Sequence, residues 1–90
     1  MKLTLLSREY CSLCHQMRAA LGPYQVQYGF TLEIIDVDEH PELEEKYNEL
    51  VPVLLGGGTE ICHWFLDEAR LKAWLEEQVR HKEKGRGMNR

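Results

Sequence analysis

Apolar residues in this chain change their spacing several times, and each change marks an element. Leu3 to Leu6 is a short continuous apolar run ended by the polar turn Ser7-Arg8-Glu9-Tyr10, the pattern of a buried strand. From Leu13 the period turns helical: Leu13, Met17, Ala20, Leu21 and Tyr24 fall on one face of an amphipathic helix. Gly22-Pro23 interrupts that face, and because proline lacks an N–H and crowds the preceding turn, a kink or a break with a short restart is predicted there. Gly29 closes the unit, and residues 30–37, rich in β-branched and aromatic side chains, predict a second strand. Strand, helix and strand in this order make a βαβ unit, whose strands are parallel and whose crossover is right-handed.

The second half reads differently. Pro41 suits the first position of a short acidic helix anchored by Leu43 and Tyr47. Residues 52–55 and 59–63, joined by Gly56-Gly57-Gly58, predict a β-hairpin whose glycines supply the positive φ angles of a tight turn. Asp67 stands as N-cap of a last helix with the apolar face Leu71, Trp74, Leu75 and Val79. Glu68, Lys72, Glu76 and Arg80 alternate in sign on its outer row, a solvated face. The element order is βαβαββα.

Charge divides the chain unevenly. Residues 1–79 carry six Lys and Arg against fourteen Asp and Glu, a balance of −8, whereas residues 80–90 carry five against one, or +4. The acidic body argues against a nucleic-acid partner. The basic tail, residues 80–90, has too little apolar surface to offset its ordering entropy and is expected to be disordered beyond a domain spanning 1–79. Met1 to Leu6 is too short an apolar run for a signal peptide or a membrane span, so a cytoplasmic monomer is expected.

The chemistry concentrates in Cys11-Ser12-Leu13-Cys14-His15, where two motifs overlap. C-x-x-C performs thiol-disulfide exchange, and C-x-x-C-H attaches a c-type haem. A haem wrap conflicts with the βαβ periodicity and with the absence of an export signal. Soft-metal binding would recruit Cys62 with His15 or His63, yet Cys62 and His63 are neighbours on a strand and point to opposite faces. A plain structural role for the pair is the third competitor. In the exchange reading, the helix start favours a thiolate at Cys11, the attacking thiol, and Cys14 resolves the mixed disulfide. The reading from a different class is a non-catalytic module of the same fold that binds a metal or a protein partner. Cys62 reads as a small buried residue and His15 as solvent-facing. Tyr10 is assigned to the rim of the site, and Trp64 and Phe65 read as packing under the last helix or as a partner contact.

With C-x-x-C after the first strand and Val51-Pro52 before the third, the chain resembles the glutaredoxin branch of the thioredoxin fold. It is most similar there to small bacterial glutaredoxin-like proteins. The matching stretches are Leu3 to Cys14, Ile34 to Asp38, Val51 to Leu55 and Asp67 to Leu75. The resemblance implies a thioredoxin-like α/β fold with a four-stranded mixed sheet flanked by helices. It also implies a cis Val51-Pro52 bond facing the sulfurs, with Val51 and Pro52 positioning substrate, and Arg8 as a cation attracting a glutathione carboxylate. No bound cofactor is implied; glutathione or a disulfide-containing protein would be the reaction partner. Two departures stand out: Ser12-Leu13 replaces the Pro-Tyr of glutaredoxins, and His63-Trp64-Phe65-Leu66 precedes Asp67 where they carry a Gly-Gly-Ser/Cys-Asp-Asp signature.

Overall fold

A computed structural model describes residues 1–88, with side chains through residue 80. The elements are β1 (Lys2–Ser7), α1 (Ser12–Tyr28), β2 (Thr31–Asp36), a 3-10 turn (Val37–Glu39), α2 (Pro41–Tyr47), β3 (Val53–Gly56), β4 (Thr59–His63) and α3 (Glu68–Met88). The expected order is thus observed. The tail expected over residues 80–90 falls almost wholly on positions outside the described side chains, and Asn89 and Arg90 lie outside the described residues altogether.

The sheet runs β2-β1-β3-β4. β1 pairs parallel with β2 and antiparallel with β3, and β3 pairs antiparallel with β4, which is the mixed sheet of a thioredoxin-like fold. Alternation along the strands then builds two cores. On one face Leu3, Leu5 and Leu54 pack against Met17, Leu21 and Tyr24 of α1 and Leu71 and Leu75 of α3. On the other, Leu6, Val37 and Val53 are covered by Leu43 and Tyr47 of α2.

α1 is one helix through Gly22-Pro23, so the break and restart do not occur. Leu21 and Tyr24, on either side of the proline, are both buried in the same core, and that shared burial outweighs the hydrogen bond the proline cannot donate. The buried face is also rotated from the expected one. Cys14, Met17, Leu21 and Tyr24 face inward, while Ala20 is exposed and Leu13 is half-buried. Gly29 ends the helix at φ 72°, its N–H donating to Gln25 O.

α3 starts as expected: the Arg70 N–H donates to Asp67 Oδ1 at 3.1 Å. Leu66 and Leu71, at the positions of a hydrophobic staple, share the larger core and fix the angle at which the chain enters the helix. Tyr24 and Tyr28 of α1 donate their hydroxyls to Glu68 and Glu76 of α3, binding the two helices along one side. These carboxylate acceptors, chiefly through the hydrogen bonds themselves, push both phenols up from their ordinary pKa.

The hairpin turn is tighter than expected. Gly57 and Gly58 carry positive φ angles of 58° and 81° and form a two-residue reversal, whereas Gly56 belongs to β3. Gly56 is needed for another reason. A Cβ there would stand 2.5 Å from Trp74 Cε2, so the indole of α3 lies directly on the strand backbone. Gly56→Ala is expected to destabilise the fold by about 1–3 kcal/mol, since a planar ring in a packed site cannot yield without moving α3. Urea denaturation should show a lower midpoint at unchanged slope; a midpoint equal to wild type would refute this packing argument.

Candidate active site

Strand register brings four loops to one end of the sheet. Leu6 of β1 pairs with Ile35 and Val53, Ser7 pairs with Asp36, and Val53 pairs with His63. The chain leaving β1 toward Cys11, the turn leaving β2, Val51-Pro52 entering β3 and the chain leaving β4 therefore emerge side by side. Two long-range links tie them: the Trp64 N–H donates to Pro52 O at 2.9 Å, and Arg8 Nε donates to both oxygens of Asp38 at 3.0 and 3.1 Å.

Cys11 is the N-cap of α1, with extended backbone at φ −122°. Its Sγ accepts the Cys14 N–H at 3.2 Å, and its carbonyl accepts the His15 N–H, also at 3.2 Å. The sulfur thus occupies the place where a helix leaves N–H groups unpaired and where aligned peptide dipoles favour negative charge. Cys14, one turn on, faces the core at 4% exposure, whereas Cys11 is half-buried. The two are joined as a disulfide with Cα atoms 5.2 Å apart. Cys11 is thus partly exposed and Cys14 buried, an asymmetry set by the helical position that each occupies.

Val51-Pro52 is a cis peptide, as the family resemblance implies, with Pro52 buried and Val51 half-buried. Tyr10 is 94% exposed beside Cys11, which is a rim position. Arg8 is held by its neighbours: besides Asp38, its guanidinium donates to Asn48 Oδ1 at 2.7 Å. It staples the β1 exit loop to the segments after β2 and α2. His15 is exposed on α1.

In the sequence Trp64 reads as packing under the last helix or as a partner contact, with no sign of its backbone geometry. In the structure its φ is 65°, a left-handed angle rare for a bulky residue, and the Phe65 N–H donates back to His63 O at 2.7 Å. This is a γ-turn of the strained, positive-φ kind. It is held from outside by the Trp64 N–H on Pro52 O and by the indole N–H on Glu49 O at 2.8 Å. The ring remains 46% exposed and Phe65 64% exposed. Together with Leu13, Gln16, Met17, Ala20, Leu66 and Glu68 they line a groove of about 310 Å³.

Cys62 stands apart from the pair. It is buried at 4% in the core beneath α3. A register shift between Leu54 and Leu55 turns Ile61 and Cys62 to the same core, while His63 pairs with Glu60 at 2.9 Å. Among the described residues no three His, Cys, Asp or Glu side chains converge as a metal-sized group, and no helix is long and apolar enough to cross a membrane.

Residues 2–76 match the family described as a glutaredoxin-like domain (DUF836). The chain belongs to this glutaredoxin-like family. It is 32% identical over 77 residues to uncharacterised proteins of Mycobacterium bovis and Mycobacterium tuberculosis, covering 80% of this chain and 79% of theirs. Among solved structures it is similar to protein Ne2328 of Nitrosomonas europaea, with a TM-score of 0.74 and 40% identity over 81% of this chain and 88% of that one. It is also similar to protein XcR50 of X. campestris, with a TM-score of 0.66 and 38% identity over 83% and 96% of the two chains. Thioredoxin 1 of Thermosipho africanus, at 24% identity and a TM-score of 0.56 over 96% and 99%, shares the fold.

Within this glutaredoxin-like domain the third thiol has a defined behaviour. Burial pushes the Cys62 pKa up, against a weaker opposing pull from a hydrogen bond to the Asp67 backbone. A raised folded-state pKa contributes stability that is fully present below the unfolded thiol's pKa and is lost as pH rises through the folded value. In the oxidised chain Cys62 is therefore expected to stay unreactive toward an aromatic disulfide reagent near pH 8 and to titrate as one thiol once urea unfolds the protein. Stability should decline on the alkaline side. Rapid labelling of Cys62 in the native chain would show that the site is open.

Proposed function

We propose that this chain is a thiol-disulfide oxidoreductase working through Cys11 and Cys14. The observation that carries this reading is the asymmetry of the pair at the head of α1: Cys11 Sγ receives a helix N–H on a partly exposed residue, while Cys14 is buried one turn deeper. A thiolate is the nucleophile in disulfide exchange, and a helix N-terminus favours that form.

In the reduced chain, the Cys11 thiolate attacks one sulfur of a substrate disulfide. A Cys11–substrate disulfide forms, and the other substrate sulfur leaves as a thiolate that takes a proton from solvent. Cys14 then gives up its proton and attacks Cys11 Sγ; the Cys11–Cys14 disulfide forms and the second substrate thiolate departs. Two electrons have passed from the dithiol to the substrate, and two molecules of a thiol such as glutathione, leaving as their disulfide, or one partner dithiol, itself oxidised, restore the starting state. No bound cofactor or metal enters these steps. Val51, entering β3 at the end of the sheet where the chain leaves β1 toward Cys11, is the residue whose backbone an extended substrate segment would pair with like an added strand. Arg8 acts as a positioning residue: with its guanidinium on Asp38 and Asn48, it fixes the loop that carries Tyr10 and Cys11.

Single substitutions separate the two sulfurs. Cys11→Ser is expected to abolish disulfide reduction, and Cys14→Ser to accumulate Cys11-linked mixed disulfides visible by mass spectrometry. Retention of equal activity in both variants would overturn the assignment of roles. Stoichiometric metal in the chain purified under reducing conditions, with a dithiol that does not equilibrate with a glutathione buffer, would replace catalysis by a binding function.

A further inference from the structure

We propose that the groove between α1 and the Trp64-Phe65 turn is the specificity subsite of this redox centre, taking a large apolar side chain from a protein segment that carries the target disulfide. This deepens the oxidoreductase reading and rests on it. The groove neighbours the reactive pair through two of its walls: Leu13 is bonded to Cys14 in the chain, and the Trp64 N–H donates to Pro52 O. Met17 and Ala20 extend the same helical face away from the sulfurs, and Trp64 and Phe65 form the opposite wall.

Apolar surface kept open at a reaction centre is costly unless something covers it in use. Here it is maintained against local preference. The γ-turn that displays the indole sets a bulky residue at φ 65°, and its amide is hung on the carbonyl of Pro52 itself. Strain of this kind persists only where the surroundings enforce it. Substrate backbone lying along Val51-Pro52 and a substrate side chain entering the groove are thus positioned by one connected unit.

Charge selects the occupant. The charged residue lining the groove is Glu68, and its carboxylate already accepts the Tyr24 hydroxyl. Arg8, the cation that the loop before Cys11 offers, is bound to Asp38 and Asn48. Glutathione brings carboxylates and little apolar surface, and the groove meets them with the like charge of Glu68 and a single uncharged amide, Gln16. An uncharged protein segment with a leucine-sized or aromatic residue near its cysteine fits both the shape and the potential.

The test uses the full chain, reduced with dithiothreitol and desalted, in single turnover against two capped, uncharged peptide disulfides that differ only in Leu or Ser beside the cysteine. Wild type is expected to react about tenfold faster with the Leu peptide, the factor supplied by partial burial of one such side chain. Phe65→Ser and Ala20→Glu, both at exposed positions, should bring that ratio close to one, whereas Val26→Glu on the outer side of α1 should leave it intact. Equal rates for the two peptides in wild type, or a preference that survives both groove variants, would overturn the subsite while leaving the redox reading standing. Glutathione disulfide reacting faster than both peptides, and slowed by Ala20→Glu, would assign the groove to glutathione instead. A chain that reduces none of the three overturns the redox reading and the subsite with it.

Discussion

β1 is paired along both edges, with Leu6 set against Ile35 of β2 and Val53 of β3. Because each partner strand is registered to the same central strand, the places where the chain leaves β1 and β2, enters β3 and leaves β4 are fixed relative to one another. A shift of one residue in the β1–β3 register would turn Leu54 out of the α1–α3 core and Val53 out of the α2 core at once. The two separate cores therefore act as a lock on register, and the position of Pro52 beside the exit toward Cys11 is a consequence of that lock.

From this constraint the asymmetry of the sulfurs follows through helix geometry. α1 lies on the sheet through Met17, Leu21 and Tyr24, so its inward direction is set along its whole length. Cys14 is three residues before Met17 and shares that inward row, while Cys11, the cap, stands at the mouth of the helix. Ser12 and Leu13 take the remaining directions: Ser12 is exposed, and Leu13 turns toward the Trp64 side. The two inserted residues are thus not spacers alone, since the second one forms part of the groove wall opposite Trp64 and Phe65.

What could be read from the sequence was local in origin. The C-x-x-C at a helix start, the Gly29 stop, the Asp67 cap and the order of strands all depend on neighbours within a few residues, and all were correctly placed. Three features escaped. The uninterrupted helix at Pro23 depends on burial of Leu21 and Tyr24 against a sheet assembled from distant segments. The staple at Arg8 depends on Asp38 and Asn48, thirty and forty residues away in sequence. The turn at Trp64 is the clearest case, because a tryptophan has no intrinsic preference for a left-handed angle. Pro52 O and Glu49 O, delivered by the hairpin and by the end of the α2 segment, hold it there. A signal did exist, in that His63-Trp64-Phe65-Leu66 places bulky residues where one staple residue, Leu66, would satisfy the start of the helix.

That surplus bears on how this domain differs from a glutathione-gripping site on the same frame. An anion-binding helix start presents backbone N–H groups and small residues that let a ligand approach. Here the N–H of Arg70 is taken by the Asp67 side chain, and the approach is walled by two exposed aromatic residues. The frame, the sulfur pair and the cis proline are compatible with either class of substrate, because they act on the disulfide itself. On the proposed reading discrimination comes from the wall beside them, which in this chain is mostly apolar, with Gln16 and Glu68 as its polar members. The proposed reaction class and the proposed substrate class therefore rest on different parts of the molecule: the first on the head of α1, the second on the turn between β4 and α3.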